Sequence, residues 1–204
     1  LVLQQRETAR ASRKNAGADA WAGDSDVLDD ITKTEFVGYT DMKATAKVTA
    51  IVKDGARVEA VETGDDIVFT LDRTSFYAES GGQVGDTGVI TNDSCTIRVL
   101  DTTKNAAGVF IHKAVVEEGF LREGDTVEAV VDVERRRAIM RNHTAAHLLQ
   151  AALRSVLGDH VEQAGQLVNE NAVRFDFTHF SALTDEELLA VENLVNEKIL
   201  EDIK

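Results

Sequence analysis

Between residues 46 and 131 apolar positions come in short runs, several of them alternating with polar ones. The runs are 46–53 (AKVTAIVK), 57–61 (RVEAV), 66–71 (DIVFTL), 87–91 (TGVIT), 95–101 (CTIRVLD), 109–115 (VFIHKAV) and 126–131 (TVEAVV), rich in Val, Ile, Thr and Phe. Gly55, Gly64, Gly108, Gly119 and Gly124 separate many of them. Such runs predict the short strands of a small barrel or sandwich. At about residue 132 the period changes. Val133, Ile139, Met140, His143, His147, Leu148, Ala151, Ala152 and Val156 recur at helical spacing, and Gly158 is a plausible stop. Residues 163–168 and 173–179 read as two strands, with a turn at Asn169 to Asn171. Thr184-Asp185-Glu186-Glu187 then has capping-box spacing. It opens a helix with Leu188, Leu189, Val191, Leu194, Val195 and Ile199 facing inward. The pattern is α+β: a β-barrel over residues 31–131, followed over residues 132–204 by an α/β module.

The first residues fit neither part. Residues 15–35 are rich in Gly, Asp, Ala and Ser and read as a linker. Residues 1–14 carry Arg6, Arg10, Arg13 and Lys14 among helix formers. They are either the end of a helix from an upstream domain or a basic helix that contacts RNA. Residues 1–30 are therefore set apart as a helical tail and linker. The chain starts with Leu and stops at Lys204 inside a predicted helix, so it reads as a fragment of a longer protein.

Composition narrows the function classes. Hydrophobic residues are 43% and charged residues 28%, an ordinary globular balance that excludes a disordered or fibrous chain. The net charge of −14 argues against holding nucleic acid across a broad face, though not against local contact with one RNA end. The single cysteine, Cys95, excludes an internal disulfide and fits a reducing, cytoplasmic compartment. No apolar run approaches the ~20 residues of a membrane span. Proline is absent, so there are no Pro-rich linkers.

Four features carry candidate chemistry. His143-Thr144-Ala145-Ala146-His147 puts two histidines at i and i+4 on one helix face. Their imidazoles either converge on a metal ion, most simply zinc, or are hydrogen-bonded residues of a partly buried helix. Thr144 stands where a metalloprotease has its general-base Glu, so that reading fails. Cys95, His112, His160 and His179 are further possible ligands, at no recognised spacing to the pair. In FYAESGGQVGDTG (76–88) four glycines fall within eight positions, which makes either a tight loop or a close approach to a ligand. It lacks the Lys of a phosphate-binding P-loop. Arg135, Arg136, Arg137 and Arg141 precede the histidine pair, as either a solvated helix face or a phosphate-contacting patch. Gln163, near Gly165 and Gln166, would as a buried amide both donate to and accept from a substrate.

Taken together, FYAESGGQVGDTG (76–88), RNHTAAHLLQAALRSVLGDHVEQAGQLV (141–168) and RFDFTH (174–179) resemble the editing region of alanyl-tRNA synthetases. EFVGYTDMKATAKVTAIVKDG (35–55) resembles the segment just before it. Free-standing alanyl-tRNA editing proteins share the barrel and the histidine motif. The resemblance implies an elongation-factor-like barrel and the α/β editing module shared by threonyl- and alanyl-tRNA synthetases, here truncated at its C-terminus. It implies zinc bound by His143 and His147, with two more ligands from a Cys-x-x-x-His motif downstream of Lys204. It implies a pocket in which Gln163 and Thr144 act on the substrate and Glu79, Gly81, Gly82 and Gln83 border it. Arg136, Arg137 and Arg141 would meet the tRNA. The implied reaction is hydrolysis of Ser-tRNA(Ala) and Gly-tRNA(Ala), with the tRNA(Ala) acceptor end and the rest of the synthetase as partners and no membrane. Aminoacylation and ATP binding would belong to the parent ligase. The competing expectation is a non-catalytic module that docks the acceptor end, inactive because the downstream ligands are absent.

Overall fold

The computed structural model describes residues 26–201. The tail expected over the first residues lies outside them up to residue 25. The described chain divides into two units, residues 26–78 with 86–131 and residues 79–85 with 132–201. The central part of the glycine-rich segment thus groups with the second unit, although barrel residues flank it in sequence.

In the first unit the period-two runs become strands. They are β1 (Glu35–Phe36), β2 (Lys43–Lys53), β3 (Ala56–Arg57), β4 (Ala60–Glu62), β5 (Asp66–Leu71), β6 (Arg73–Thr74), β7 (Gly88–Asn92), β8 (Cys95–Lys104), β9 (Phe110–Arg122) and β10 (Thr126–Val131). Six of them form a ring of antiparallel pairs, β2–β10–β7–β8–β9–β5–β2. The pairing of β10 with β2 closes it, so the ring has no open edge. β3 and β4 are short additions to β2 and β9, and β1 pairs with β6 in parallel. The inside is filled by alternate residues, among them Val48, Ile67, Phe69, Leu71, Ile90, Ile97, Val116 and Val127.

Two departures from the sequence pattern have physical causes. The register of β2 shifts between Val48 and Ala50, where it meets β5. Beyond that bulge Ile51 points into the barrel while Ala50 and Val52 point out. The outward pair is covered by Leu28, Val27 and Ile31, so part of the expected linker packs on the barrel instead. Strand β9 runs on to Arg122, past the expected end at residue 115, because β8 pairs with it as far as Gly119 and β4 from Phe120 to Arg122.

His112, a candidate ligand, is a core residue of this unit. It is fully buried, 5.1 Å from the Phe69 ring and edge-on to Phe76. Its Nδ1 lies 3.4 Å from the Phe69 carbonyl and its Nε2 3.0 Å from Thr74 Oγ1. Burial pushes its pKa down to about 4, partly offset by the hydrogen bond to the Phe69 carbonyl. In the unfolded chain the ring titrates near its ordinary ~6.5 and takes up a proton first. Stability from the neutral ring is therefore complete above about pH 6.5 and is lost as the pH falls towards about 4, at most about 3 kcal/mol. Urea unfolding between pH 7 and pH 4 should show this slope in the wild type and less of it in His112→Gln. Equal slopes would refute the assignment.

The second unit holds helix α1 (Val133–Leu157), strands β11 (Gln163–Val168) and β12 (Val173–Phe177), and helix α2 (Asp185–Leu200). Asp132 caps α1 by accepting from Arg135 N, and Gly158 ends it. β11 and β12 form an antiparallel hairpin. Its turn is closed by Asn169 Oδ1, which accepts from the backbone N–H of Asn171 and Ala172 at 2.9 Å each. The expected capping box at Thr184 and Glu187 is present in full.

The inward faces are narrower than the pattern suggested. On α1 the buried residues are Arg136, Ile139, Ala146, Ala152 and Leu153, while Met140 and Ala151 are exposed. On α2 Val191 is buried and Leu194 and Val195 partly so, against Ala152, Leu153 and Val161. Leu188, Leu189 and Ile199 are exposed, contrary to expectation. Leu189 lies on the side of α2 away from Val191, while Leu188 and Ile199 sit beside the buried stripe but in the first and last turns of the helix, where nothing described covers them.

Candidate functional site

The site is built on α1 at the border between its buried and exposed faces. His143 is half-buried and His147, one turn on, is exposed. Their rings lie side by side, 5.1 Å between centroids and 7° from parallel. Burial, and after it the neighbouring His147, push the His143 pKa down, which favours the neutral imidazole a metal requires.

The glycine-rich segment reaches this helix through Gln83. Residues 80–84 lie along β11. Ser80 and Gln83 exchange backbone hydrogen bonds of 3.1 and 3.0 Å. Val168 N–H donates to the Gly82 carbonyl at 2.8 Å, and Val84 N–H to the Val168 carbonyl at 3.1 Å. Val84 joins Ile139, Ala146, Val168, Val173 and Phe175 in an apolar cluster that ties segment, helix and hairpin together. Gln83 is 6% exposed, and its Oε1 lies 2.5 Å from His143 Nδ1. Gly81 and Gly82 have φ of +61° and +83°, and Gln166 Nε2 donates to the Gly81 carbonyl at 2.5 Å. The segment makes a tight turn, and Gly82 approaches the protein's own strand at Gln166.

The arginine cluster divides. Arg135 Nη1 donates to the Gly85 carbonyl at 2.8 Å and its Nε lies 3.3 Å from Glu170, so it clamps the end of the segment to the helix. Arg136 is 5% exposed, which removes it from the expected tRNA-facing patch. Arg137 and Arg141 are exposed, one turn apart on one face.

The remaining candidates are placed as follows. Thr144 is exposed, and its hydroxyl donates to the Met140 carbonyl at 3.1 Å. Gln163 starts β11 beside a bulge and is exposed, not the buried amide expected. Glu79 is also exposed. His160 and His179 pair with each other, Nε2 to Nδ1 at 2.9 Å, with Phe180 against His160. Cys95 is buried in the barrel core, and burial pushes its thiol pKa up.

The geometry thus joins His143, His147 and Gln83. The two imidazoles, on adjacent turns of α1, are the described residues that could serve as nitrogen ligands to a metal ion. Among the described residues no third Cys, His, Asp or Glu joins them. Sequence reasoning did not find the clamp at Arg135 or the grip of Gln166 on Gly81, because both connect segments far apart in the chain. Gln150, three residues past His147, was also missed. Its Nε2 donates to the Val161 carbonyl at 3.3 Å and its Oε1 is buried without a partner. No helix among the described residues is long and apolar enough to cross a membrane.

The chain belongs to the family described as tRNA synthetases class II (A), whose model matches residues 1–135. Its relatives include several alanine–tRNA ligases. The chain is 50% identical over 203 residues to the alanine–tRNA ligase of Acetivibrio thermocellus, covering 99% of this chain and 23% of that protein. It is 45% identical over 197 residues to the alanine–tRNA ligase of Bacillus subtilis, covering 96% of this chain and 22% of that protein. With that of Staphylococcus aureus it shares 47% identity over 203 residues. The chain spans about a quarter of the length of these relatives.

Proposed function

We propose that this chain is the editing region of an alanine–tRNA ligase. It hydrolyses the ester that joins serine or glycine to the 3′ end of tRNA(Ala), within a cytoplasmic synthetase whose other domains carry out aminoacylation. The observation that carries this reading is the parallel His143–His147 pair, with Gln83 seated on His143, in a chain similar to alanine–tRNA ligases.

The need for such a site follows from binding energetics. A pocket made for alanine discriminates poorly against glycine, which lacks a methyl group, or against serine, which adds a hydroxyl, often only ~10²-fold. A second site that destroys Ser-tRNA(Ala) and Gly-tRNA(Ala) restores accuracy. Zinc held by His143 and His147, with ligands from outside this chain, would anchor the substrate or polarise the attacking water. The chain's own residues do the rest. The exposed Gln163 amide would turn towards an incoming aminoacyl group, and the Thr144 hydroxyl, which donates to the Met140 carbonyl, keeps its lone pairs to accept from one. Arg137 and Arg141 offer two charges to the acceptor-end phosphates. The reaction consumes one water and releases the amino acid and the tRNA 3′ hydroxyl.

The test uses the full-length protein that carries this chain, with its zinc content measured. Ser-tRNA(Ala) and Gly-tRNA(Ala) are expected to be hydrolysed at least ~10²-fold faster than Ala-tRNA(Ala). A protein that binds tRNA(Ala) but leaves Ser-tRNA(Ala) intact would instead be the non-catalytic acceptor-docking module.

A further inference from the structure

We propose that Gln83 is a positioning residue that fixes which nitrogen of His143 faces the metal. The inference rests on the zinc reading of the histidine pair. A residue at this place in a glycine-rich loop is the natural candidate for contact with substrate, but the geometry points elsewhere. Gln83 is 6% exposed and its amide oxygen is already engaged by His143.

The chemistry follows from what each atom can do. A glutamine Oε1 only accepts hydrogen bonds. At 2.5 Å from it, Nδ1 of His143 must carry the hydrogen. A neutral imidazole has one N–H, so Nε2 is left with its lone pair free. Without an acceptor at Nδ1 either tautomer is available, and the one with hydrogen on Nε2 cannot ligate through that atom. The acceptor also fixes the ring's rotation and raises the basicity of the ligating nitrogen, as partners behind metal-bound histidines commonly do.

Gln83 is suited to this because its backbone does not move freely. It is held by Ser80 on one side and bridged to Val168 on the other. β11 therefore delivers the amide to helix α1 at a fixed height. The partners are separated by 60 positions in sequence, so no local spacing marks them.

The experiment is zinc affinity by chelator competition on the full-length protein, for wild type, Gln83→Leu and Gln83→Glu, with thermal unfolding of the same samples. Leu removes the acceptor at similar volume, and its zinc affinity should fall about 10- to 100-fold. Glu keeps an acceptor at the same reach and should hold zinc at least as well as wild type. A merely structural role would not be rescued by a buried carboxylate. The proposal is overturned if Leu stays within about twofold of wild type, if Glu weakens zinc as much as Leu, or if the wild type binds no zinc. If Leu loses zinc, Glu keeps it and wild type leaves Ser-tRNA(Ala) intact, the positioning role stands and the editing reading falls.

Discussion

In the full-length protein, His147→Ala is expected to leave the fold as stable as wild type while lowering both zinc affinity and Ser-tRNA(Ala) hydrolysis by at least ~100-fold. The two halves of this expectation have separate causes. His147 is exposed on a regular helix, so truncation removes little packing. Alanine is the better helix former, and the net change in stability should be within about 0.5 kcal/mol. Loss of function has a different origin. Deleting a partner behind a metal-bound histidine costs about 10- to 100-fold in affinity, and deleting a ligand costs more. A 100-fold slower reaction is about 2.7 kcal/mol of lost transition-state stabilisation, far more than the packing of an exposed side chain supplies. Metal analysis after dialysis, single-turnover deacylation and a thermal melt on the same protein decide it. Unchanged zinc and unchanged deacylation would mean that the pair is only a feature of the helix surface, the bland alternative that its spacing left open.

The fold was legible where local chemistry decides the outcome. Helix α1 begins where the period changes at about residue 132 and ends at the predicted stop, Gly158, and α2 opens on its capping box, because caps act within one turn. The strands were recognisable from period-two runs, but their ends were not. β9 continues through Glu117, Glu118 and Gly119 because its neighbours continue beside it, and that is a tertiary fact. The histidine pair was visible for the same reason as the caps: i and i+4 is a local relation. What the spacing could not show is which side of α1 is covered. Arg136 looked like part of a phosphate-binding patch and is buried, while Met140 looked inward and is exposed. That choice is made by the hairpin and by the segment carrying Val84, which sit against Ile139 and Ala146. Gln163 drew attention as an amide in a strand, yet the residue that touches His143 is Gln83, brought there by backbone pairing to β11.

That backbone pairing is the weak point of the site, and Gly82→Ala should break it. A Cβ at Gly82 would lie 2.5 Å from the Gln166 carbonyl oxygen and 2.6 Å from Gln166 Cγ. The first of these is strand backbone and cannot swing away. The φ of +83° adds the left-handed penalty of an L-residue. Strain of about 1–2 kcal/mol and overlap of about 1–3 kcal/mol together exceed what the two backbone bonds to Val168 return. The segment should lift from β11, taking Gln83 away from His143. Gly81→Ala is the control. Its φ of +61° is also left-handed, but nothing lies within 4 Å of a Cβ there. It should cost only the conformational term, about 1–2 kcal/mol, and leave zinc affinity within about twofold of wild type. Gly82→Ala should lower zinc affinity about as much as Gln83→Leu, 10- to 100-fold, and expose residues 79–85 to limited proteolysis. If both alanine variants bind zinc like the wild type, the segment does not need its seat on β11 to serve the histidines. If both lose zinc equally, turn conformation matters and the close approach to Gln166 does not.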